Sequence, residues 1–428
     1  MKKLFGVLAL AAGLLVLSGC DLYQPDVDSL LTPPVLSALQ TEVDEALRDV
    51  VGQDLRLCYP SGSYRSPYIF TDLDGDEEAE AVVFYTMENE PLVYLQILDH
   101  TEGRWRAHNA LPGTEGEVLF VDFRHLSGDG ATDLLVGWRE PDRDFDTLYL
   151  YRYREGSLTE EFHVSCDGVA IGDFTGDGAE ELICATLDGG VTLQLIGWGG
   201  TGISVLDSAY SSLRLQTITG SVTGRIEEAL SGAAFSGRIN AEMSASLLVG
   251  VQSGRLVLPQ EDTFTGYSET YCYSGASPAD INNDGIVEVP WSNAVPGISA
   301  GSREDTRYFT EYRALQSGGY TTIAACYQNT ADGWRLILPE GLYELYWQNG
   351  LTLTRQAETR EVVFRQYTGR LNENGREYLR LRVTAGNETA PEGYTLLNSR
   401  GQFSYYASVP LGSPLSMAEV EQNFSLLG

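Results

Sequence analysis

The nine residues Asp72-Leu73-Asp74-Gly75-Asp76-Glu77-Glu78-Ala79-Glu80 return twice in altered form. The copies are Asp173-Phe174-Thr175-Gly176-Asp177-Gly178-Ala179-Glu180-Glu181 and Asp280-Ile281-Asn282-Asn283-Asp284-Gly285-Ile286-Val287-Glu288. Each sets oxygen-bearing side chains at positions 1, 3, 5 and 9, and the backbone carbonyl of position 7 (Glu78, Ala179, Ile286) falls in the remaining gap. Six to eight hard oxygen ligands at about 2.3–2.6 Å are what Ca²⁺ requires, and a tight loop of alternating carboxylates supplies them from one short segment. The candidate ligands are therefore Asp72, Asp74, Asp76, Glu78 and Glu80; Asp173, Thr175, Asp177, Ala179 and Glu181; and Asp280, Asn282, Asp284, Ile286 and Glu288. One copy alone would also suit a solvated Asp-Gly turn. Three copies in a common frame favour an ion whose task is to staple the loop, since carboxylates this close repel one another without it.

Two further copies are degenerate. One, from His125 to Asp133, keeps Ser127, Asp129, the Ala131 carbonyl and Asp133 as weak ligands but has His at position 1. The other, from Ser221 to Ala229, carries Arg225 at position 5, where a guanidinium replaces the ion, so no metal is expected there. Short apolar segments flank the loops, such as Val169-Ala170-Ile171 before and Ala81-Val82-Val83-Phe84 after, and a hairpin follows about a dozen residues on. The first positions of the five copies, 72, 125, 173, 221 and 280, are 53, 48, 48 and 59 residues apart. That is the period of a four-stranded propeller blade. The expected fold is mainly β: a β-propeller with five motif-bearing blades, then a small α+β domain.

The loops resemble the calcium loops of FG-GAP and VCBS repeats, known from the integrin alpha-subunit propeller and from secreted bacterial proteins. Asp72, Asp74, Asp76 and Glu80, with their counterparts in the second and third copies, carry the likeness, which covers about residues 55–330. The FG and GAP tripeptides themselves are missing.

At the N-terminus, Lys2 and Lys3 precede an apolar run from Leu4 to Leu17 that is too short to span a membrane as a helix. It ends in Leu17-Ser18-Gly19-Cys20, similar to the lipobox of bacterial lipoproteins. The resemblance implies cleavage before Cys20 and lipidation of its thiol, leaving the protein lipid-anchored to the cell membrane on the extracytoplasmic side. The expected organisation is a signal peptide over 1–19, a lipidated cysteine and tether over 20–34, a helix over 35–52, the propeller over 53–330 and a separate α+β domain over 331–428; the alternative is that the first strands of that last segment close the propeller. Leu36, Leu39, Val43, Leu47 and Val50 share one face of that helix. The five later cysteines have no CxxC spacing. Cys166 and Cys184 could meet within one repeat, as a disulfide or as buried thiols.

The 428 residues carry 28 basic and 60 acidic side chains, a formal net charge of −32. A field of that sign repels nucleic acid, and no basic run interrupts it. After residue 330 the balance is 9 arginines to 11 acids, so the acidity belongs to the loop-bearing part. In this last segment strands are expected at Trp334–Leu338, Tyr343–Trp347, Leu351–Thr354, Val362–Tyr367 and Tyr378–Val383, and Ser416-Met417-Ala418-Glu419 is a capping box that opens a helix. The run Gly197–Gly202 matches GxGxxG, but a strand sequence follows it where a nucleotide site needs a helix, so it is expected to be a hairpin turn. No catalytic residue is assigned. The expected role is a noncatalytic binding or scaffolding module for a protein or cell-surface glycan; the alternative is a glycan-active hydrolase using propeller carboxylates. The two separate on whether two carboxylates, one with a raised pKa, share a pocket away from the loops.

Overall fold

The structure is a computed structural model that describes residues 36–427 apart from 89, 115, 127–130, 140–145, 155, 261–265, 274, 299–307, 317–318, 371–374 and 387. The signal segment, Cys20 and the tether lie outside the described residues, as do Ser127 and Asp129. The chain divides into two compact units, 1–53 and 54–428. In the first, a helix runs from Ala38 to Val51, opened by a capping box in which Ser37 Oγ accepts the Gln40 N–H at 3.2 Å and Gln40 Oε1 accepts the Ser37 N–H at 3.0 Å. Of its apolar face, Val43 and Leu47 are buried while Leu36, Leu39 and Val50 stay exposed. Among the described residues no helix is long and apolar enough to cross a membrane.

In the second unit the described residues form six antiparallel sheets that follow one another along the chain. The first spans Leu55–Leu57 to Leu111–Pro112, the second Glu117–Arg124 to Ser157–Ser165, the third Gly168–Gly172 to Ile203–Ser211 and the fourth Thr217–Glu227 to Arg255–Val257. The fifth runs from Val289–Ala294 to Trp334–Ile337 and gains Phe424–Leu426 at its edge; the sixth spans Leu351–Gln356 to Phe403–Ser408.

Side-chain alternation explains why these sheets stack. In a strand, successive residues face opposite sides, and here both sides are dry. Leu134, Val136 and Trp138 pack with Val82, Phe84 and Leu95 of the first sheet, while Leu135 packs with Leu182 and Cys184 of the third. Ile183 and Ala185 then meet Ala233 and Phe235 of the fourth sheet, whose Ala234 clusters with Val287 and with Val289 and Leu315 of the fifth. Phe309, Tyr327 and Trp334 continue the series onto Leu353, Phe364 and Leu379 of the sixth. Inner strands thus read as continuous apolar runs, and outer ones such as Ser157–Ser165 are largely exposed. First strands of successive sheets also touch: Ser221 Oγ donates to the Val169 carbonyl at 2.6 Å and Thr223 Oγ1 to that of Ile171 at 3.1 Å. This succession of stacked antiparallel sheets, three of them four-stranded, is consistent with a propeller-like fold.

Three sequence expectations need correction. Residues 221–229 are not a loop: Thr217–Glu227 is one strand, paired with Leu230–Arg238 from Thr217↔Arg238 to Glu227↔Leu230. The turn between them is too tight for a nine-residue loop. Tyr343–Trp347 is not a strand but the end of the helix Glu340–Trp347, which begins just after Pro339 and buries Leu342 and Tyr346 one turn apart. Trp334–Ile337 does not start a separate sheet, because it pairs with the strand Gly319–Asn329, so the fifth sheet runs across residue 330. The C-terminal capping box forms as expected, with Ser416 and Glu419 opening Met417–Asn423, and Gly197–Gly202 lies at a hairpin turn.

Candidate metal-binding loops

Each full loop leads into a sheet at position 9: Glu80 and Glu181 open the strands Glu80–Met87 and Glu181–Leu187, and Glu288 directly precedes Val289–Ala294 and bridges Ala279. There the backbone is fixed by the ladder and the side chain is buried: Glu80 and Glu288 are wholly buried, and Glu181 is 3 % exposed. One oxygen of each does the same work. Glu80 Oε2 accepts the Leu73 N–H at 2.6 Å, Glu181 Oε2 the Phe174 N–H at 2.8 Å and Glu288 Oε2 the Ile281 N–H at 2.8 Å. Position 1 ties the rest of the loop: Asp72 accepts from Gly75 and Glu77, Asp173 from Gly176 and Gly178, and Asp280 from Asp284 and Gly285. Position 5 accepts the N–H of position 7 in all three, at 2.8, 2.9 and 2.8 Å.

The backbone repeats as well. Positions 4 and 6 have positive φ throughout: Gly75 and Glu77 (84° and 71°), Gly176 and Gly178 (77° and 91°), Asn283 and Gly285 (61° and 83°). This left-handed conformation suits glycine, and Glu77 and Asn283 adopt it despite a Cβ.

The loops differ in what meets the second oxygen of position 9. In the second loop, Thr175 Oγ1 donates to Glu181 Oε1 at 2.7 Å. In the first and third, Oε1 of Glu80 and of Glu288 is buried with no hydrogen-bond partner. Burial pushes Glu80 up to about 7, opposed by the Leu73 N–H and assisted by Asp74, Asp99 and Asp76. Burial likewise pushes Glu288 up to about 7, opposed by the Ile281 N–H and assisted by Asp284 and Asp280. Glu181 is raised by burial too, against three hydrogen bonds that lower it. Asp74 is raised by burial and then by Asp76.

Carboxylate oxygens of Asp72, Asp74 and Glu80 lie within 4.8 Å of one another, and so do those of Asp173, Asp177 and Glu181. A buried anionic oxygen without a donor, beside two further carboxylates, is chemically matched to a hard cation. The third loop is partly served from within. Arg225 Nη2 donates to the Asp284 carbonyl, and Arg225 shares backbone bonds with Gly285 and Val287 at 3.0 and 2.7 Å. Asp284 is held low chiefly by the Ile286 N–H and the Asn282 side chain, with Arg225 adding to them.

The degenerate loop shows a built-in substitute. Asp133 is buried and its Oδ2 accepts the Leu126 N–H at 2.9 Å, the same staple as in the other loops. Its Oδ1 accepts Arg152 Nε at 2.8 Å, from the residue directly across the ladder. The Ala131 carbonyl, a weak-ligand candidate, faces His125 Nδ1 at 3.1 Å. Neither Arg152 nor the task of Arg225 at a neighbouring loop was legible in the sequence, because both depend on strand register and on which sheets stack.

At the opposite ends of these strands lies a cavity of about 460 Å³ whose walls include Phe120, Arg139, Asp146, Thr147, Asp167 and Ile218. Arg139 grips Asp146 through two contacts of 3.1 Å. Asp167 is raised by burial, while N–H groups of Leu187 and Asp146 hold it down. Cys166 also lines it and donates to the Gly168 carbonyl at 3.2 Å, and both Cys166 and Cys184 are free thiols.

The sequence matches no protein-family profile, and no curated protein matches it. Weakly similar solved structures include Saccharomyces cerevisiae Sqt1 (13 % identity, 78 % of this chain and 86 % of that one, TM-score 0.31). Others are Bacillus licheniformis rhamnogalacturonan lyase PL11 (10 %, 63 % and 68 %, TM-score 0.29) and an exo-β-1,3-galactanase of Phanerochaete chrysosporium (7 %, 80 % and 82 %, TM-score 0.29). These are likenesses of multi-sheet β architecture and say nothing about activity here.

Proposed function

We propose that the chain is a calcium-stapled, propeller-like binding or scaffolding module, lipid-anchored through Cys20 on the extracytoplasmic side of a cell membrane, with a protein or cell-surface glycan as partner. The observation that carries the calcium reading is the orphaned buried oxygen of Glu80 beside Asp72 and Asp74. The contrast with Asp133, where Arg152 supplies the positive charge, supports it. Asp72, Asp74 and Glu80 would hold one ion, and Asp173, Asp177 and Glu181 another. The ion would supply positive charge that lets a clustered anionic loop keep its fold, a structural service. Among the described residues, the groups of three carboxylates that gather this closely belong to these loops, which favours a structural task for those six acids.

Pull-down from detergent-solubilised envelope, with the full chain and with and without calcium, tests the binding role. A partner retained only with calcium is expected, and no calcium-dependent partner counts against it. A hydrolase is the second reading, favoured by the sharing of one cavity by Asp146 and the raised Asp167, away from the loops. It ranks second because Arg139 occupies both oxygens of Asp146 and the Leu187 N–H engages Asp167, which ties both carboxylates into the local structure. Release of reducing ends from cell-surface glycans by the parent chain, abolished in Asp167→Asn, would reverse that ranking.

A further inference from the structure

In a chain with more than twice as many acids as bases, a cavity whose walls hold two arginines and, among the described residues, no carboxylate stands out. Such a cavity, of about 600 Å³, lies against the fifth sheet, with Ser277, Tyr312, Gln328, Thr330, Arg335 and Arg400 as its polar walls. Arg335 is firmly placed: its strand is paired on both sides, to Gln328 and to Ser425. Its Nη1 donates to the Tyr312 hydroxyl at 3.3 Å, its guanidinium lies 5.8 Å from the centre of that ring, and its Nε is buried without an acceptor. Among the described residues no carboxylate pairs with it. Asp332, three residues earlier in the chain, is committed elsewhere, holding Arg355 and Arg360 at 3.3 and 2.6 Å. Arg400, exposed at the edge of the cavity, donates to the Leu427 carbonyl.

A half-buried guanidinium with no counter-ion among the described residues carries a desolvation cost that an anion would offset. Its planar fork matches an oxyanion better than any neutral group does. The hydroxyl and amide groups of Ser277, Thr330 and Gln328 can orient such a group but cannot neutralise it. We propose that this cavity is an oxyanion site, receiving one carboxylate, sulfate or phosphate group of a small polar ligand, with Arg335 as its anchor and Arg400 at its entrance. The assignment does not depend on whether the acidic loops hold calcium.

The test is calorimetric titration of the full chain in calcium-free buffer at fixed ionic strength. Probes are inorganic sulfate, inorganic phosphate and glucuronate, with glucose as the neutral control. Saturable binding of an oxyanion but not of glucose is expected. Preference for glucuronate points to a carboxylate ligand, and preference for sulfate or phosphate to a tetrahedral one. Arg335→Gln should weaken binding at least tenfold and Arg400→Gln severalfold, while Arg376→Gln, which does not line the cavity and bonds the Gly412 carbonyl, should leave it unchanged. Should Arg335→Gln fail to fold, the exposed Arg400 carries the test. Absence of saturable heat up to 10 mM, equal binding of glucose, or unchanged affinity in Arg400→Gln and in any folded Arg335→Gln overturns the proposal.

Discussion

Single residues decide how each loop holds its shape. Glu77 occupies a left-handed position that glycine fills in the two other full loops. Glu77→Gly should therefore raise stability by about 1 kcal/mol, through relief of the Cβ penalty, measured by denaturant unfolding; a loss would mean that the Glu77 side chain has a role of its own. Asp167 offers a pH test. Its folded pKa is raised by burial, so its contribution to stability is full below its unfolded value near 3.8 and is lost as pH rises through the folded value. Asp167→Asn abolishes that loss while keeping an acceptor for the Leu187 N–H. The melting temperature of Asp167→Asn relative to the parent should thus be more favourable at pH 7 than at pH 3.5; a constant or reversed difference contradicts the burial argument. The loop ligands themselves were readable in the sequence because their spacing is local. The orphaned oxygen of Glu80 was not, since burial comes from neighbouring sheets.

At the scale of elements, the ladder between Asp133–Arg139 and Thr147–Arg154 places Arg152 opposite Asp133, both nearly solvent-free. Removing one partner of a buried pair leaves an uncompensated charge. Arg152→Gln should cost about 3–5 kcal/mol, and Asp133→Asn added to it should recover part of that loss in a double-mutant cycle; additive losses would deny the coupling. Strands and the hairpin at Gly197–Gly202 were legible because alternation and turn residues are local signals. The strand Thr217–Glu227 was hidden behind a spacing match: Ser221 and Arg225 fit the loop template, but Ile218, Val222 and Ile226 alternate in a way that sustains a long ladder. The helix Glu340–Trp347 was likewise obscured by aromatic residues common in strands, although Pro339 marked its start. Within the fifth sheet, the pairing of Phe424–Leu426 with Trp334–Ile337 joins segments nearly ninety residues apart, which no local pattern announces.

Over the whole molecule the acidic surplus is the dominant electrostatic fact. A net charge of −32 opposes compaction through self-repulsion, and clustered carboxylates at Asp72, Asp74 and Glu80 concentrate that repulsion where one divalent ion would relieve it most. An ion that binds only the native state adds about 2.7 kcal/mol at a hundred times its dissociation constant, enough to move the melting temperature of a domain of this size by a few degrees. The most direct measurement is thermal unfolding of the full chain in chelator and in millimolar calcium at equal ionic strength, run beside Glu80→Gln. The expected result is a melting temperature several degrees higher in calcium, with a smaller shift in Glu80→Gln. Superimposable curves in calcium and chelator would contradict the claim that these loops are calcium staples.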